Sequence, residues 1–277
     1  MKNSIVGLAV VLVLASTQAV KVQAGEYSAT LGAGVSVSPD YEGSDNYKVR
    51  GMPFISLGWK ADADMPEDGT DFQLGLHDVT LKMPGSLEVG VGRLYRPEGM
   101  YRFNLGLKYN RGRDQDNNQA LDGMGDIDGH MLAKAGIIFK TKGPGWRYSL
   151  SFSQDLSNET DGSTVDGELG YFRPLGKKLS LTPYASASWA DQDHMQSYFG
   201  VSQAQAVTSS NAQFDADSGI KSVGLGVKLN WKISGDWKLK NTLGYIRLTN
   251  DAADSPLVKD EGSADQFRLR TALVYTF

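Results

Sequence analysis

Along most of this chain, apolar and polar residues alternate with a period of two. In the last segment Phe267, Leu269, Leu273, Tyr275 and Phe277 fall on one face, and Arg268, Arg270, Ala272 and Thr276 on the other. This is the pattern of a strand whose two faces meet different environments. Val223, Leu225, Val227, Leu229, Trp231 and Ile233 repeat it against Gly224, Gly226, Lys228, Asn230 and Lys232, as do Tyr101, Phe103, Leu105, Leu107 and Tyr109 against Arg102, Asn104, Gly106, Lys108 and Asn110. Weaker versions run through Trp146, Tyr148, Leu150 and Phe152, and through Leu179, Leu181, Ala185 and Trp189. The pattern predicts twelve strands, near residues 26–37, 48–60, 71–83, 87–96, 100–111, 128–140, 146–155, 165–175, 178–190, 219–233, 236–248 and 265–277.

A soluble antiparallel sandwich also alternates, so alternation alone does not place the chain in a membrane. Three further features do. Many stripes begin or end in Tyr, Trp or Phe, as the girdles at bilayer interfaces require, and Lys and Arg stand mid-strand on the opposite face. The runs are also long, near the roughly 9 to 11 residues that cross a bilayer, where soluble strands average about 5 to 6. The connections alternate between tight turns (96–99, 141–145, 176–177, 234–235) and long loops (112–127, 191–218, 249–264), which fits short periplasmic turns and longer external loops. Two connections dissent, 61–70 being long for a periplasmic turn and 84–86 short for an external loop; ten strands is the alternative count. The expected fold is all-β: one antiparallel up-and-down transmembrane β-barrel in the outer membrane of a Gram-negative-type cell. Because lipid offers no partner to unpaired backbone, its first and last strands should pair.

Residues 5–15 (IVGLAVVLVLA) follow Met1 and Lys2 and lead to Val22, Gln23 and Ala24, a small-x-small cleavage pattern. Residues 1–24 therefore read as a secretory signal peptide and 25–277 as the barrel. The apolar run is too short to span a bilayer as a helix, and no other run approaches spanning length. Cysteine is absent, so no disulfide framework is available in an oxidising compartment. A net charge of −4 does not argue for nucleic acid. The 32 glycines, 12 tyrosines and 5 tryptophans suit a barrel with interfacial aromatics.

Four separated segments carry a resemblance: Ser38-Pro39-Asp40-Tyr41-Glu42-Gly43-Ser44, Gly125-Asp126-Ile127-Asp128, Met195-Gln196-Ser197-Tyr198-Phe199-Gly200-Val201, and Asp251-Ala252-Ala253-Asp254-Ser255-Pro256. With the terminal Phe277, these make the mature chain resemble the MltA-interacting protein (MipA/OmpV) family of outer-membrane proteins. The resemblance implies a scaffold bridging a murein lytic transglycosylase and a bifunctional penicillin-binding protein. Other members of the family are described as adhesins, osmotic-response proteins or porin-like proteins. It supplies no functional residue to carry over. All four segments fall on the external or loop side, so a periplasmic partner would have to use the acidic turn at 61–70, with Asp62, Asp64, Glu67 and Asp68, beside the mature N-terminus. As an isolated charge run this turn reads first as solvated acid, and only second as a contact for a basic partner.

Enzyme chemistry is not indicated. His77, His130 and His194 form no metal-ligand spacing, and no GxSxG elbow exists. His194 with Asp191, Asp193 and Ser197 is the nearest approach to a nucleophilic set, within one loop. The loop acids Asp114, Asp116, Asp122, Asp126, Asp128, Asp215, Asp217, Asp251, Asp254, Asp260 and Glu261 match no EF-hand spacing and read as solvated charge. No metal and no cofactor is expected; lipid and lipopolysaccharide are the expected surroundings.

The predicted register turns Arg50, Lys60, Arg102, Lys108, Arg147, Lys228, Lys232, Lys238, Lys240, Arg268 and Arg270 into the barrel, against Glu88 and Glu168. A cationic lumen would suit a small-solute channel or an anion-binding barrel; the structural alternative is an interior filled by paired charges. Met195, Tyr198 and Phe199 could fold into the mouth as a plug, or pack the loop against the rim. A surface adhesin using the acidic loops is a third function class.

Overall fold

The computed structural model describes residues 25–61, 71–83 and 85–277. The expected leader (1–24) and the acidic carboxylates Asp62, Asp64, Glu67 and Asp68 lie outside the described residues. Twelve strands form: β1 (Gly25–Pro39), β2 (Tyr47–Ala61), β3 (Asp71–Met83), β4 (Ser86–Arg96), β5 (Gly99–Asn110), β6 (His130–Thr141), β7 (Gly145–Asp155), β8 (Ser163–Leu175), β9 (Leu179–Ala190), β10 (Gly219–Ser234), β11 (Trp237–Leu248) and β12 (Asp265–Thr276). Each pairs antiparallel with its sequence neighbours, and β1 pairs with β12 from Thr30↔Thr276 to Val37↔Leu269, closing the cylinder. Closure satisfies the backbone groups that lipid would leave unpaired. The count of twelve stands, and β3 and β4 pair directly as far as Lys82↔Ser86.

The alternating pattern maps onto the wall as expected. Leu31, Leu57, Leu105, Leu150, Leu225, Leu243 and Leu269 face outward and are exposed. At the end where the tight turns lie, Tyr101, Phe139 and Tyr148 cluster, Trp146 meets Tyr171, and Trp237, Tyr275 and Phe277 stack edge to face. At the loop end Tyr245 packs on Phe267. These two belts mark the headgroup levels of the membrane.

Strand ends differ from expectation by a residue or two. β5 stops at Asn110 and β6 starts at His130, later than the expected 128, because Gly112 takes a left-handed φ of +72°. Arg113 and Ile127 then exchange backbone hydrogen bonds at 2.8 and 2.7 Å in a bridge of their own. Bulges between Leu74 and Asp78, Gly90 and Gly92, and Ile220 and Ser222 shift the in/out phase locally. These shifts bring Asp78, Arg93 and Lys221 into contact with other polar groups, which simple alternation does not foresee.

Candidate functional site: a capped, charged lumen

The long loops of the sequence fold into a cap over one end of the barrel. Its helices are α1 (Gln192–Phe199), α2 (Gln203–Thr208), α3 (Asp251–Asp254) and α4 (Pro256–Lys259), with two 3₁₀ turns at Gln115–Asn117 and Gln119–Leu121. Two apolar clusters hold them together: Met195, Phe199, Ala216, Leu248, Ala252 and Val258 in one, and Tyr41, Leu121, Met124, Val201 and Leu257 in the other. Burying each large side chain contributes about 1.5–3 kcal/mol, so these clusters give the loops a core of their own. Among the described residues, the wall joins these clusters only at its rim, through Ala190 and Leu248, and its apolar face meets lipid.

Polar groups lock the same assembly. Tyr41 donates to the Leu257 carbonyl (2.9 Å), Ser255 to the Phe199 carbonyl (2.6 Å), and Gln266 Nε2 to the Ser44 carbonyl (3.0 Å). Asn118 Nδ2 donates to Asp40 (3.2 Å) and Ser44 (3.3 Å). Gly43, at φ +110°, brings the chain so close that a Cβ there would lie 2.4 Å from Val258 Cγ2. The four segments that are far apart in sequence thus meet in one place: Tyr41 and Gly43 from the first, Ile127 in its bridge to Arg113 from the second, Phe199 and Val201 from the third, and Ala252 and Ser255 from the fourth.

Helix α1 has two working faces. Residues four apart share a face, so Met195 and Phe199 point into the apolar cluster, both fully buried. His194 and Tyr198 stack at 4.6 Å and border the cavity below. Asn110 donates to the Tyr198 hydroxyl (2.9 Å) and Arg113 to the Tyr198 carbonyl (2.9 Å). The three residues expected as a plug therefore divide: Tyr198 overlies the lumen, while Met195 and Phe199 anchor the helix that carries it. Burial pushes the Tyr198 phenol up to about 12.

Asp191 caps α1, accepting from the backbone N–H of His194 (3.0 Å) and of Ser163 (2.8 Å). Its carboxylate is thereby occupied by backbone amides, and the Asp191–His194 pair is a helix cap. His194 Nε2 instead faces Lys221 Nζ at 3.4 Å, and Lys221 bonds the Glu42 carboxylate at 3.0 Å. For Glu42, burial acts to raise the carboxyl, but Lys221, Arg268 and His194 outweigh it and hold it down at about 2. Burial, followed by the charge of Lys221, holds the His194 imidazole down at about 3, so it is neutral at physiological pH.

Beneath the cap lies a cavity of about 1000 Å³, within the upper range of ligand sites, which run from about 300 to 1,000 Å³. Of the expected lumen cations, Arg50, Lys108, Lys240, Arg268 and Arg270 line it. Lys228 lies deeper, on the Glu168 carboxylate at 2.5 Å and over the Tyr184 ring. Arg102 belongs to a separate group on β3–β5, pairing with Asp78 and, at 3.8 Å, with Glu88. Arg93 joins it through Asp78 at 3.3 Å. Lys232 and Lys238 sit opposite one another in the register at the tight-turn end and border neither cavity. A second space of about 340 Å³ adjoins the first, sharing Glu42, Asp166, Lys221 and Arg268 and adding Lys134 and Glu168.

Sequence reasoning missed Asp78, Arg93 and Lys221 because bulges hide their phase, and missed Glu42 as a lumen group because it lies in a loop segment. Lys134 and Asp166 were readable from period two on β6 and β8, where they alternate with outward Ala133, Ala135 and Val165. Among the described residues, no group of three or more His, Asp or Glu side chains is arranged to hold a metal ion.

Comparison with known proteins gives a consistent picture. A family model described as MltA-interacting protein MipA matches residues 31–277. The chain is 30% identical over 183 residues to the outer membrane proteins Omp26La of Vibrio anguillarum and OmpV of Vibrio cholerae, the match covering 65% of this chain and 65% of each relative, just short of two thirds of their length. It is 24% identical over 123 residues to the MltA-interacting protein of Escherichia coli, covering 42% of this chain and 48% of that one. Among solved structures, the outer membrane channel DcaP of Acinetobacter baumannii aligns over 91% of this chain and 97% of its own, at 10% identity and a TM-score of 0.44. The architecture rests on the strand pairing itself.

Proposed function

Because this chain belongs to the MltA-interacting protein family of outer-membrane barrels, we propose that it is a non-catalytic interaction protein that holds a murein lytic transglycosylase, with a bifunctional penicillin-binding protein, at the inner face of the outer membrane. The observation that carries this reading is the family match along residues 31–277, which takes in all four cap segments and nearly the whole barrel. Its direct test is a detergent-solubilised pull-down of the refolded barrel against the cell's own lytic transglycosylases and penicillin-binding proteins, with an unrelated barrel as control. Specific retention that is lost when Asp62, Asp64, Glu67 and Asp68 are changed to their amides supports both the partner and the acidic turn as its contact. Retention no better than the control removes the scaffold for this protein.

A second reading, favoured by the charged cavity under the cap, is a small-solute barrel with a cationic lumen. Its test is ion conductance in planar bilayers, before and after deletion of residues 195–200. Rising conductance on deletion supports a plugged conduit, and unchanged conductance in both forms opposes it.

A further inference from the structure

Several lumen charges in this barrel are neutralised by a neighbour. Arg93 and Arg102 share Asp78, Lys228 holds Glu168, Lys221 holds Glu42, and Lys48 reaches Asp40 at 3.5 Å. An interior that merely had to be polar would end there, with charges paired as ordinary filling. Among the lumen cations that lack such a neighbour are Lys108 on β5, Lys134 on β6, and Arg268 and Arg270 on β12. None of them has an ion-pair or hydrogen-bond partner among the described residues, and Lys108, Arg268 and Arg270 all border the large cavity. Lys108 lies within Coulombic reach of Lys134, Lys221 and Arg270, with Asp166 the acidic group nearby.

These cations are not gathered on one strand. In a ring of twelve, β5 and β6 stand across the lumen from β12, so positive groups project into the same space from opposite walls. Like charges held in this way repel one another. In a lumen walled by protein, which focuses their field, an anion between them removes that repulsion and gains attraction from both sides. Around them the lining is rich in hydroxyls, including Ser36, Ser38, Ser153, Thr164 and Thr242, with the Phe54 ring below Lys240. Hydroxyls and a ring face suit a polyhydroxylated body more than a bare inorganic ion. The paired wall keeps lipid headgroups outside, since the strand ladder is closed all round.

We infer that the cavity under the cap is a binding site for a small polyhydroxylated organic anion, such as a phosphorylated or carboxylated sugar, held by Lys108, Arg268 and Arg270, with Lys134 adding its charge from the adjoining space. The site rests on the solute-barrel reading and gives it a ligand class. It does not need conduction, so the two can fail separately.

The test uses the refolded full barrel in lipid-free detergent, titrated calorimetrically with glucose 6-phosphate, gluconate and glucose. Binding of either charged probe without binding of glucose supports the site, and the better of the two shows whether phosphate or carboxylate is the preferred group. Losing one charged hydrogen-bond partner, worth about 1.5–3 kcal/mol, predicts that Arg270→Gln or Lys108→Gln weakens binding by roughly tenfold or more. Asp166→Asn removes a competing negative charge and should tighten binding, a gain that a misfolded variant cannot mimic. Lys232→Gln, at the tight-turn end, should leave the affinity unchanged. Charged probes binding no better than glucose, or affinities indifferent to both Arg270→Gln and Asp166→Asn, overturn the site. If binding is seen and depends on these residues while bilayers show no conductance, the site stands and the channel reading falls.

Discussion

Lys221 on β10 bonds Glu42 at 3.0 Å across 179 residues of chain, and its ammonium also faces His194 on α1 at 3.4 Å. This one cation joins the first loop, the wall and the lid helix. The bulge between Ile220 and Ser222 is what brings it there. With 11% of the Lys221 side chain and 23% of the Glu42 side chain exposed, the pair is partly shielded from solvent.

Removing one partner should free the cap. Breaking a fully buried ion pair costs about 3–5 kcal/mol, and the residual exposure puts this pair below that figure. Lys221→Met should therefore expose residues 203–218 to protease while the barrel keeps its protease-resistant core. Cleavage no faster than in the parent protein would remove Lys221 as the tie.

Acid should loosen the same cap. The docked imidazole of His194 titrates at about 3 instead of 6.5, under burial and the charge of Lys221, opposed by Glu42 and Asp191 and assisted by His130. An undocked His194 takes up its proton at the higher value, so the open state binds more protons, and docking weakens as pH falls from about 6.5 towards 3. Glu42, at about 2 when docked against an ordinary 4.5, adds a loss in the same direction between those values. Protease sensitivity of the cap should rise between pH 7 and pH 4.5, and His194→Gln should flatten the upper part of that rise. Equal cleavage at both pH values would contradict the assignment.

At Gly43 the cap depends on a missing side chain. A methyl group there would meet Val258 Cγ2 at 2.4 Å and strain a backbone at φ +110°. Unfavourable backbone of this kind costs about 1–3 kcal/mol, so Gly43→Ala should loosen residues 251–264. Adding Val258→Ala should restore only part of the loss, because it relieves the clash and leaves the backbone strain. Full restoration would mean that packing alone sets the requirement.

The anchor of α1 offers a separate test. Phe199 is completely buried, and Phe→Ala changes at such sites cost about 3–5 kcal/mol. Phe199→Ala should release the helix and raise single-channel conductance in bilayers, whereas Tyr198→Phe should keep the helix docked and lose only the Asn110 hydrogen bond. A conductance increase from Tyr198→Phe equal to that from Phe199→Ala would show that the phenol, not the apolar anchor, holds the lid.

How far the sequence could be read followed from which interactions are local. Strand faces repeat every two residues whatever the rest of the chain does, so the outward faces of Leu225 and Trp231 are legible from alternation alone. The twelve-strand count followed from that together with loop lengths. The cap was not readable, because Met195 meets Ala252 and Tyr41 meets Leu257 only through tertiary folding, and short helices such as Asp251–Asp254 carry little periodic signal. The cap segments were visible as a family resemblance but not as neighbours. Lys221 and Arg93 were lost to bulges, which insert one residue and reverse the phase without leaving a mark in composition.

Gln266, completely buried, hydrogen-bonds both Gly43 and Ser44, so the first external loop is fastened by a residue on the last strand. During biogenesis the loops must cross the bilayer before their apolar side chains can meet, and the first loop has no Gln266 to hold until β12 has arrived and zipped onto β1. The fastening of the first loop is therefore a contact that can form only once β12 is in place. A barrel stalled one hairpin short would carry its first loop unfastened, and a surface-added protease would read it as unfinished.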